Sequence, residues 1–461
     1  MKRSYLYYLF PVLGTFFCLW YIFASTSEGI YTDYIRLVNS YLPDVWNPAK
    51  FFVPDIFTRI PVNYLGRIIN VALFSYSTMF DRVLGVLALG LSGIVLTRYC
   101  LRKRLSLIWT VVLTAVVFSL NKWEMLTNGS GWAHFLSFVC FYYHYDLLDR
   151  TWNEEEWPRD QIKLIILPFF TTLLVAGPYC AIYSVTVVLA CCFLFFLAKK
   201  GERGKYGVYG LSVLVPFLLY MWSNSYAIED HAALAEVSLF TQLKDTPSFF
   251  VRFLVKSFSS MAVGGEAGES IFSSNAPFFI LGLLVMVLYL LALWLYMKYR
   301  LYKDSIFPLM LMVSGGMNHV LILVSRWIFL NENYGISSRY ALQFQTGILG
   351  ILLTFALLMK KRRIKSRFAV RLAAVGACML FLVGNGYTTY EEIKKAPNRK
   401  EHFEKRVEIA LNFEQYTDDE LKDNFEYRPS RPDSGAKVRN ALTILKENGY
   451  SIFRSNFTEE K

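Results

Sequence analysis

Long apolar runs, most of them about 17 to 23 residues, recur along this chain and are separated by short polar stretches. A hydrocarbon core about 30 Å thick takes roughly 20 helical residues to cross, so each run reads as a membrane-spanning helix. Eleven spans are predicted, at 5–24, 83–97, 105–120, 131–147, 162–176, 181–198, 206–222, 276–297, 305–329, 340–359 and 368–387. The second run is short, so its helix is expected to extend past Asp81 and Arg82. Gly177-Pro178-Tyr179 predicts a tight turn, because proline cannot continue a helix and glycine permits the reversal. Three polar stretches interrupt the series: the loops 25–70 and 223–275, and the tail 388–461. In the tail, Val407, Ile409, Ala410 and Leu411, then Val438, Ala441, Leu442 and Leu445, fall at helical spacing, with Asn448-Gly449 as a stop. The loops carry two amphipathic stretches suited to the membrane surface. Phe249, Phe250, Phe253, Leu254 and Phe258 oppose Arg252, Lys256, Ser257 and Ser259, and Phe51, Phe52, Ile56, Phe57 and Ile60 form a similar face.

Composition agrees: 54% of residues are hydrophobic and only 18% charged, outside the range of an ordinary soluble enzyme. The net charge of +12 would suit a nucleic-acid binder if it lay on one soluble face, but it sits in short loops. The clusters Lys2-Arg3, Arg98 to Arg104, Lys199 to Lys205, Lys298 to Lys303 and Lys360 to Arg367 each adjoin apolar runs, as cytoplasmic loops do. The N-terminus is therefore expected inside, with Tyr5 to Ala24 retained as a first span. An odd number of spans puts the tail outside. That tail carries 15 acidic and 14 basic residues and contributes nothing to the positive excess. The expected fold is an all-α polytopic membrane protein, residues 1–387 forming the transmembrane domain and 388–461 a small helical extracytoplasmic domain. The seven cysteines lack zinc or redox spacing and read as small core residues.

The chain has no glycine-rich phosphate loop, no histidine pair at metal spacing and no nucleophile elbow, so neither metal nor cofactor is expected. Candidate chemistry starts in the first outer loop. Asp33 follows the first span by nine residues and is held near the headgroups, where a carboxylate is suited to accept a proton. Glu28, Asp44 and Asp55 share the loop, with Arg36, Arg59 and Arg67 as accompanying cations; solvated loop charges are the alternative reading. A second group lies where two spans approach one boundary, with Arg326 ending one and Ser337-Ser338-Arg339-Tyr340 opening the next. A guanidinium fork at a helix start favours a phosphate, which makes Arg339 the candidate phosphate contact, against simple snorkelling to the headgroups. Two glycine-rich stretches, 128–131 and 262–269, the latter with Glu266 and Glu269, read as loops that close over a substrate or as connectors. His134 and His319 lie in or near spans, where a polar ring bonds a neighbouring helix or serves function.

A first span, a long first outer loop with the early acid Asp33, many further spans and an outer tail together resemble the GT-C superfamily of integral-membrane glycosyltransferases. The likeness is one of architecture, with a residue match only at Asp33; the adjacent acidic pair often found in that loop is absent, as is any oligosaccharyltransferase-type tail motif. The resemblance implies a polyprenyl-phosphate-linked sugar as donor, a glycan or lipid acceptor, and a location in the bacterial cytoplasmic membrane. It implies Asp33 as the base and Arg339, with Arg59 or Arg67, as the support for the departing lipid phosphate, with inversion at the anomeric carbon. Arg36, Tyr340 and Glu266 complete the candidate substrate contacts. Membrane lipids are the other expected partners, and nucleic acid is not one. A polysaccharide polymerase, a lipid-linked-sugar flippase and a non-catalytic envelope protein are the alternatives; sparse intramembrane charge and the lack of internal repeats weigh against a flippase.

Overall fold

The computed structural model describes residues 2–52, 60–223, 237–361, 367–427 and 433–454. All regular elements among them are helical. Helix α1 (Lys2–Ser25) is the first span. The chain then leaves the bundle for α2 (Asp33–Tyr41) and α3 (Pro61–Phe74) and returns in α4 (Thr78–Arg102), whose start lies well before the apolar run, as the shortness of that run required. Next come α5 (Leu107–Val117), α6 (Trp123–Thr127), α7 (Trp132–Trp152) and α8 (Asp160–Phe170). The predicted turn at Gly177 has φ +52° and leads into α9 (Cys180–Leu197) and α10 (Arg203–Ser223). Three short helices, α11 (Leu239–Asp245), α12 (Pro247–Ser259) and α13 (Gly265–Ile271), precede α14 (Ala276–Lys298), α15 (Phe307–Arg326) and α16 (Ala341–Lys360). Helix α17 (Arg367–Leu411) leads to α18 (Asp418–Asn424) and α19 (Ser434–Glu447).

Nine helical stretches among the described residues are long and apolar enough to cross a bilayer, where eleven were expected. The difference lies in α7 and α8. Helix α7 packs along α4 but carries Asp146, Asp149 and Arg150 near its end, all buried, so its sequence is too polar to qualify. Those charges are satisfied by neighbouring elements. Arg102 binds Asp146 and Asp149 at 2.6 Å each, Arg150 meets Asp160 at 3.1 Å, and Asp149 accepts from Ser305 Oγ at 2.7 Å and the Ile306 amide at 2.6 Å. Helix α8 continues as a π-helical turn to Val175, but the two together span only about 24 Å, short of the hydrocarbon core. Helix α16 is the centre of the bundle: every residue from 341 to 358 is buried.

The tail does not close a core by itself. Tyr34, Ile35 and Val38 of α2 share one apolar cluster with Val407 of α17, Leu421 of α18 and Val438, Leu442 and Leu445 of α19. Backbone and side-chain bonds tie the two segments, with Thr32 N donating to Phe425 O at 2.9 Å and Asn39 Nδ2 to Lys437 O at 3.0 Å. Helix α17 does not end at the expected boundary near Tyr387. It runs about 68 Å, more than twice the hydrocarbon thickness, and carries the chain from the bundle into this second apolar cluster. The stop at Asn448-Gly449 is where the spacing put it, with Gly449 at φ +63°.

The surface helices differ from expectation in which side faces protein. The phenylalanines of α12 are buried within the protein rather than laid on lipid, and Lys256, Ser257 and Ser259 are buried too. Lys256 Nζ donates to Asn275 Oδ1 at 2.7 Å and to Asn333 Oδ1, which is why a charged residue tolerates that position. The amphipathic stretch 51–60 lies largely outside the described residues. Helix α3 instead has the surface character: Leu65, Ile69 and Leu73 are exposed along one face, while Asn63, Arg67 and Asn70 are buried on the other.

Candidate functional site

Asp33 is the first residue of α2, 41% exposed, with Arg36 one turn on at 3.9 Å. Its position is set by the residue before it. Thr32 has φ +46°, a region that costs a threonine energy and persists only where surrounding contacts fix it. Those contacts are the Phe425 carbonyl, which binds the Thr32 amide, and Asn128 Nδ2, which donates to Thr32 Oγ1 at 3.2 Å. Tyr34, the next residue, is fully buried, and its hydroxyl donates to Asp81 at 3.0 Å. Asp33 is thus flanked on both sides by residues anchored to the bundle and the tail.

Arg339 lies in a helical turn just before α16, within electrostatic range of Asp33 but not in contact with it. Arg339 Nε binds Glu124 of α6, and its side chain remains 46% exposed. Glu124 also accepts from Ser338 Oγ at 3.2 Å, and Glu266 accepts from Ser338 Oγ at 2.9 Å and from its amide at 3.3 Å. Glu266 therefore holds the turn that carries Arg339. Tyr340 is buried beneath Arg326, whose Cζ lies 5.7 Å from the ring centroid. Arg326 Nε is buried without a hydrogen-bond partner, and no carboxylate pairs with this guanidinium among the described residues.

His134, near the start of α7, completes the group. Its ring meets Tyr179 edge-on at 4.9 Å, its Nδ1 is buried and unpartnered, and it lies within electrostatic reach of Asp33. Tyr31 lines the same region beside Arg82, Glu124, Arg406 and Arg339; burial pushes its phenol up to about 12, so it stays protonated as a donor. Glu124 and Tyr31 went unmarked in the sequence. The available signal was a lone acid, Glu124, in the short connection between an apolar run and the glycine-rich stretch.

The remaining sequence candidates fall elsewhere. Arg67 is buried on α3 in an ion pair with Asp81, 1% and 0% exposed, and its Cζ lies 5.4 Å from the Tyr76 ring centroid. It braces α3 and α2 against α4 and does not open onto Asp33, so a bound phosphate would have to displace Asp81 to reach it. Arg59 lies outside the described residues. His319 is stacked between Phe258 and Phe344, each at 3.9 Å, and receives or gives a hydrogen bond with Ser257 at 2.9 Å, a packed helix contact.

The glycine-rich stretches are packed rather than loose. A Cβ on Gly129 would sit 2.6 Å from the Tyr34 hydroxyl and 2.8 Å from the Arg82 amide, and one on Gly265 would sit 2.2 Å from the Ile336 carbonyl. Both glycines allow close backbone approach, and neither stretch has the freedom of a closing lid. Asn128-Gly129-Ser130 has the Asn-x-Ser pattern of a glycosylation acceptor, but Asn128 is buried and has no surface to offer a glycan. Among the described residues, no three His, Cys, Asp or Glu side chains gather as a metal site would require.

The described residues form an all-α protein with nine helices long and apolar enough to cross a membrane, consistent with a polytopic membrane protein. No family model, no curated protein and no solved structure matches the chain.

Proposed function

We propose that the protein is a membrane glycosyltransferase that moves a sugar from a polyprenyl-phosphate donor to a glycan or lipid acceptor of the cell envelope. The observation that supports this reading is the turn carrying Arg339, held by Glu124 and Glu266 through Ser338 and left half-exposed within electrostatic range of the exposed carboxylate of Asp33. Glycosyl transfer from a lipid phosphate needs a base for the acceptor hydroxyl and cations for the phosphate that departs, both at a membrane boundary. Asp33 takes the acceptor proton as the hydroxyl oxygen attacks the anomeric carbon. The bond from that carbon to the phosphate oxygen breaks, and direct displacement inverts the centre. Arg326 and the exposed edge of Arg339 receive the developing phosphate charge, with Glu124 fixing the Arg339 fork. Arg67 supports the scaffold in this scheme, and Glu266 and Tyr340 position Arg339 rather than touching the sugar.

The test is Asp33→Asn in cells, read by analysis of lipid-linked sugars. A folded, inserted variant that accumulates a polyprenyl-phosphate-linked sugar and makes no transfer product supports the reading; undiminished product removes Asp33 from the mechanism. A polymerase would join lipid-linked glycans instead, and accumulation of a lipid-linked repeat unit rather than a single sugar marks that outcome.

A further inference from the structure

The end of the bundle opposite Asp33 carries a second site. Arg102, Lys103, Lys303, Lys360 and the start of α17 all lie there, because α4 and α16 end at that face and α17 begins on it. Two cavities meet at this end. One is an apolar groove of about 720 Å³ between α5, α16 and α17, walled by Leu105, Ile108, Trp109, Met359, Val375 and Met379, with Arg104, Lys360 and Arg371 at its edge. The other is a polar cleft of about 490 Å³ that shares Arg104 and Lys360 with the groove and adds Arg102, Lys103, Lys303 and Lys361.

The cations of the two cavities divide into those already neutralised and those that are not. Arg102 and Lys103 are consumed by Asp146, Asp149 and Glu155, and Lys361 pairs with Asp304 at 2.9 Å. Arg104, Lys303, Lys360 and Arg371 have no carboxylate partner among the described residues. Lys360 Nζ donates to the Lys103 carbonyl at 2.7 Å, which fixes the ammonium at the junction and leaves it further donors. An apolar groove edged by three unneutralised cations, Arg104, Lys360 and Arg371, with Lys303 in the adjoining cleft, is complementary to one kind of occupant, an amphiphile with an anionic head and a hydrocarbon tail. A helix from a second protein would bury the groove and leave those cations without counter-charge, a costly arrangement.

We infer that this groove and cleft bind an anionic glycerophospholipid, its acyl chain along Trp109 and Met379 and its phosphate between Arg104, Lys360 and Arg371. The occupant spans α5, α16 and α17 and so bridges the central helix to the one that carries the tail. This site lies on the face opposite Asp33 and is independent of the glycosyltransferase reading.

Trp109, one of ten tryptophans, reports on the groove. The full chain in lipid nanodiscs is titrated with phosphatidylglycerol bearing brominated acyl chains, or with brominated phosphatidylcholine, and the Trp109 signal is taken as the difference from Trp109→Phe. Each cation near an anionic headgroup contributes about fivefold, so quenching by phosphatidylglycerol should reach its midpoint at a mole fraction about tenfold or more lower than phosphatidylcholine. Arg104→Gln with Lys360→Gln should abolish that preference. Arg371→Glu, at an exposed position that leaves packing intact, should weaken it by itself. Equal midpoints for the two lipids, or a preference unchanged in Arg371→Glu, would overturn the assignment. Displacement of the brominated lipid by a polyprenyl phosphate but not by unlabelled phosphatidylglycerol would also overturn it, in favour of an isoprenoid site.

Discussion

The Arg67–Asp81 pair links the candidate site to the bundle, and its removal yields a quantitative expectation. Both side chains are inaccessible, at 1% and 0% exposure, and Tyr34, the neighbour of Asp33, donates to the same carboxylate. Arg67→Met leaves a buried carboxylate with one hydroxyl donor in place of its counter-ion, and Asp81→Leu leaves a buried guanidinium with no counter-charge. Each single change should destabilise by about 3–5 kcal/mol, the cost of an uncompensated buried charge. The double variant Arg67→Met/Asp81→Leu removes both charges and should recover most of that loss, because well-packed apolar replacements of a buried pair are close to neutral. Tyr34→Phe should cost only about 1 kcal/mol, one hydrogen bond. Equilibrium unfolding in detergent mixed micelles, run as a double-mutant cycle, measures the coupling. A coupling above about 2 kcal/mol is expected. Single losses that add to within about 0.5 kcal/mol would refute the reasoning, because independent sites behave that way.

Glu124→Gln removes the charge that orients Arg339 and should lower transfer by about 10²-fold with little change in stability; sugar-transfer assays on membranes decide, and unchanged turnover would detach Glu124 from the site. Gly129→Ala forces a Cβ against Tyr34 and Arg82 and should destabilise by about 1–3 kcal/mol in the same unfolding assay, whereas a neutral result would mean that the stretch is loose after all. Expressed in a secretory pathway, the protein should show no mobility shift attributable to Asn128, because that side chain is buried and bonded to Thr32. A glycosidase-sensitive shift lost in Asn128→Gln would contradict the packing.

The membrane character and most helix positions were legible because hydropathy is a local property, summed over one turn after another. The limit appears at α7, where Asp146, Asp149 and Arg150 lower the local polarity signal's value: their neutralisation by Arg102 and Asp160 comes from other helices. For α12, periodicity gave the phenylalanine face but not what covers it, and Lys256 is buried by partners 19 and 77 residues away. Asp33 and Arg339 were visible as an acid and an arginine near the ends of apolar runs; the fold leaves both side chains half-exposed, each in an ion pair of its own with Arg36 and Glu124. Arg67 looked like their equal in the sequence and is not, since only the fold reveals that Asp81 already occupies it. Glu124 was missed for the converse reason: a single carboxylate gains meaning only beside the guanidinium it orients. The left-handed φ at Thr32 has no sequence signature, because threonine is a poor residue for it.

The account rests on Asp33, Arg339 and the tail sharing one non-cytosolic compartment, and the contacts of α2 with α19 already require the first loop and the tail to lie on the same side. Cysteine labelling decides which side that is. Asn440→Cys, exposed on α19, and Lys303→Cys, exposed at the basic face, are treated in intact cells with a membrane-impermeant maleimide. The account predicts that Asn440→Cys reacts in intact cells and Lys303→Cys only after permeabilisation. The reverse pattern would put the candidate site in the cytosol and contradict it.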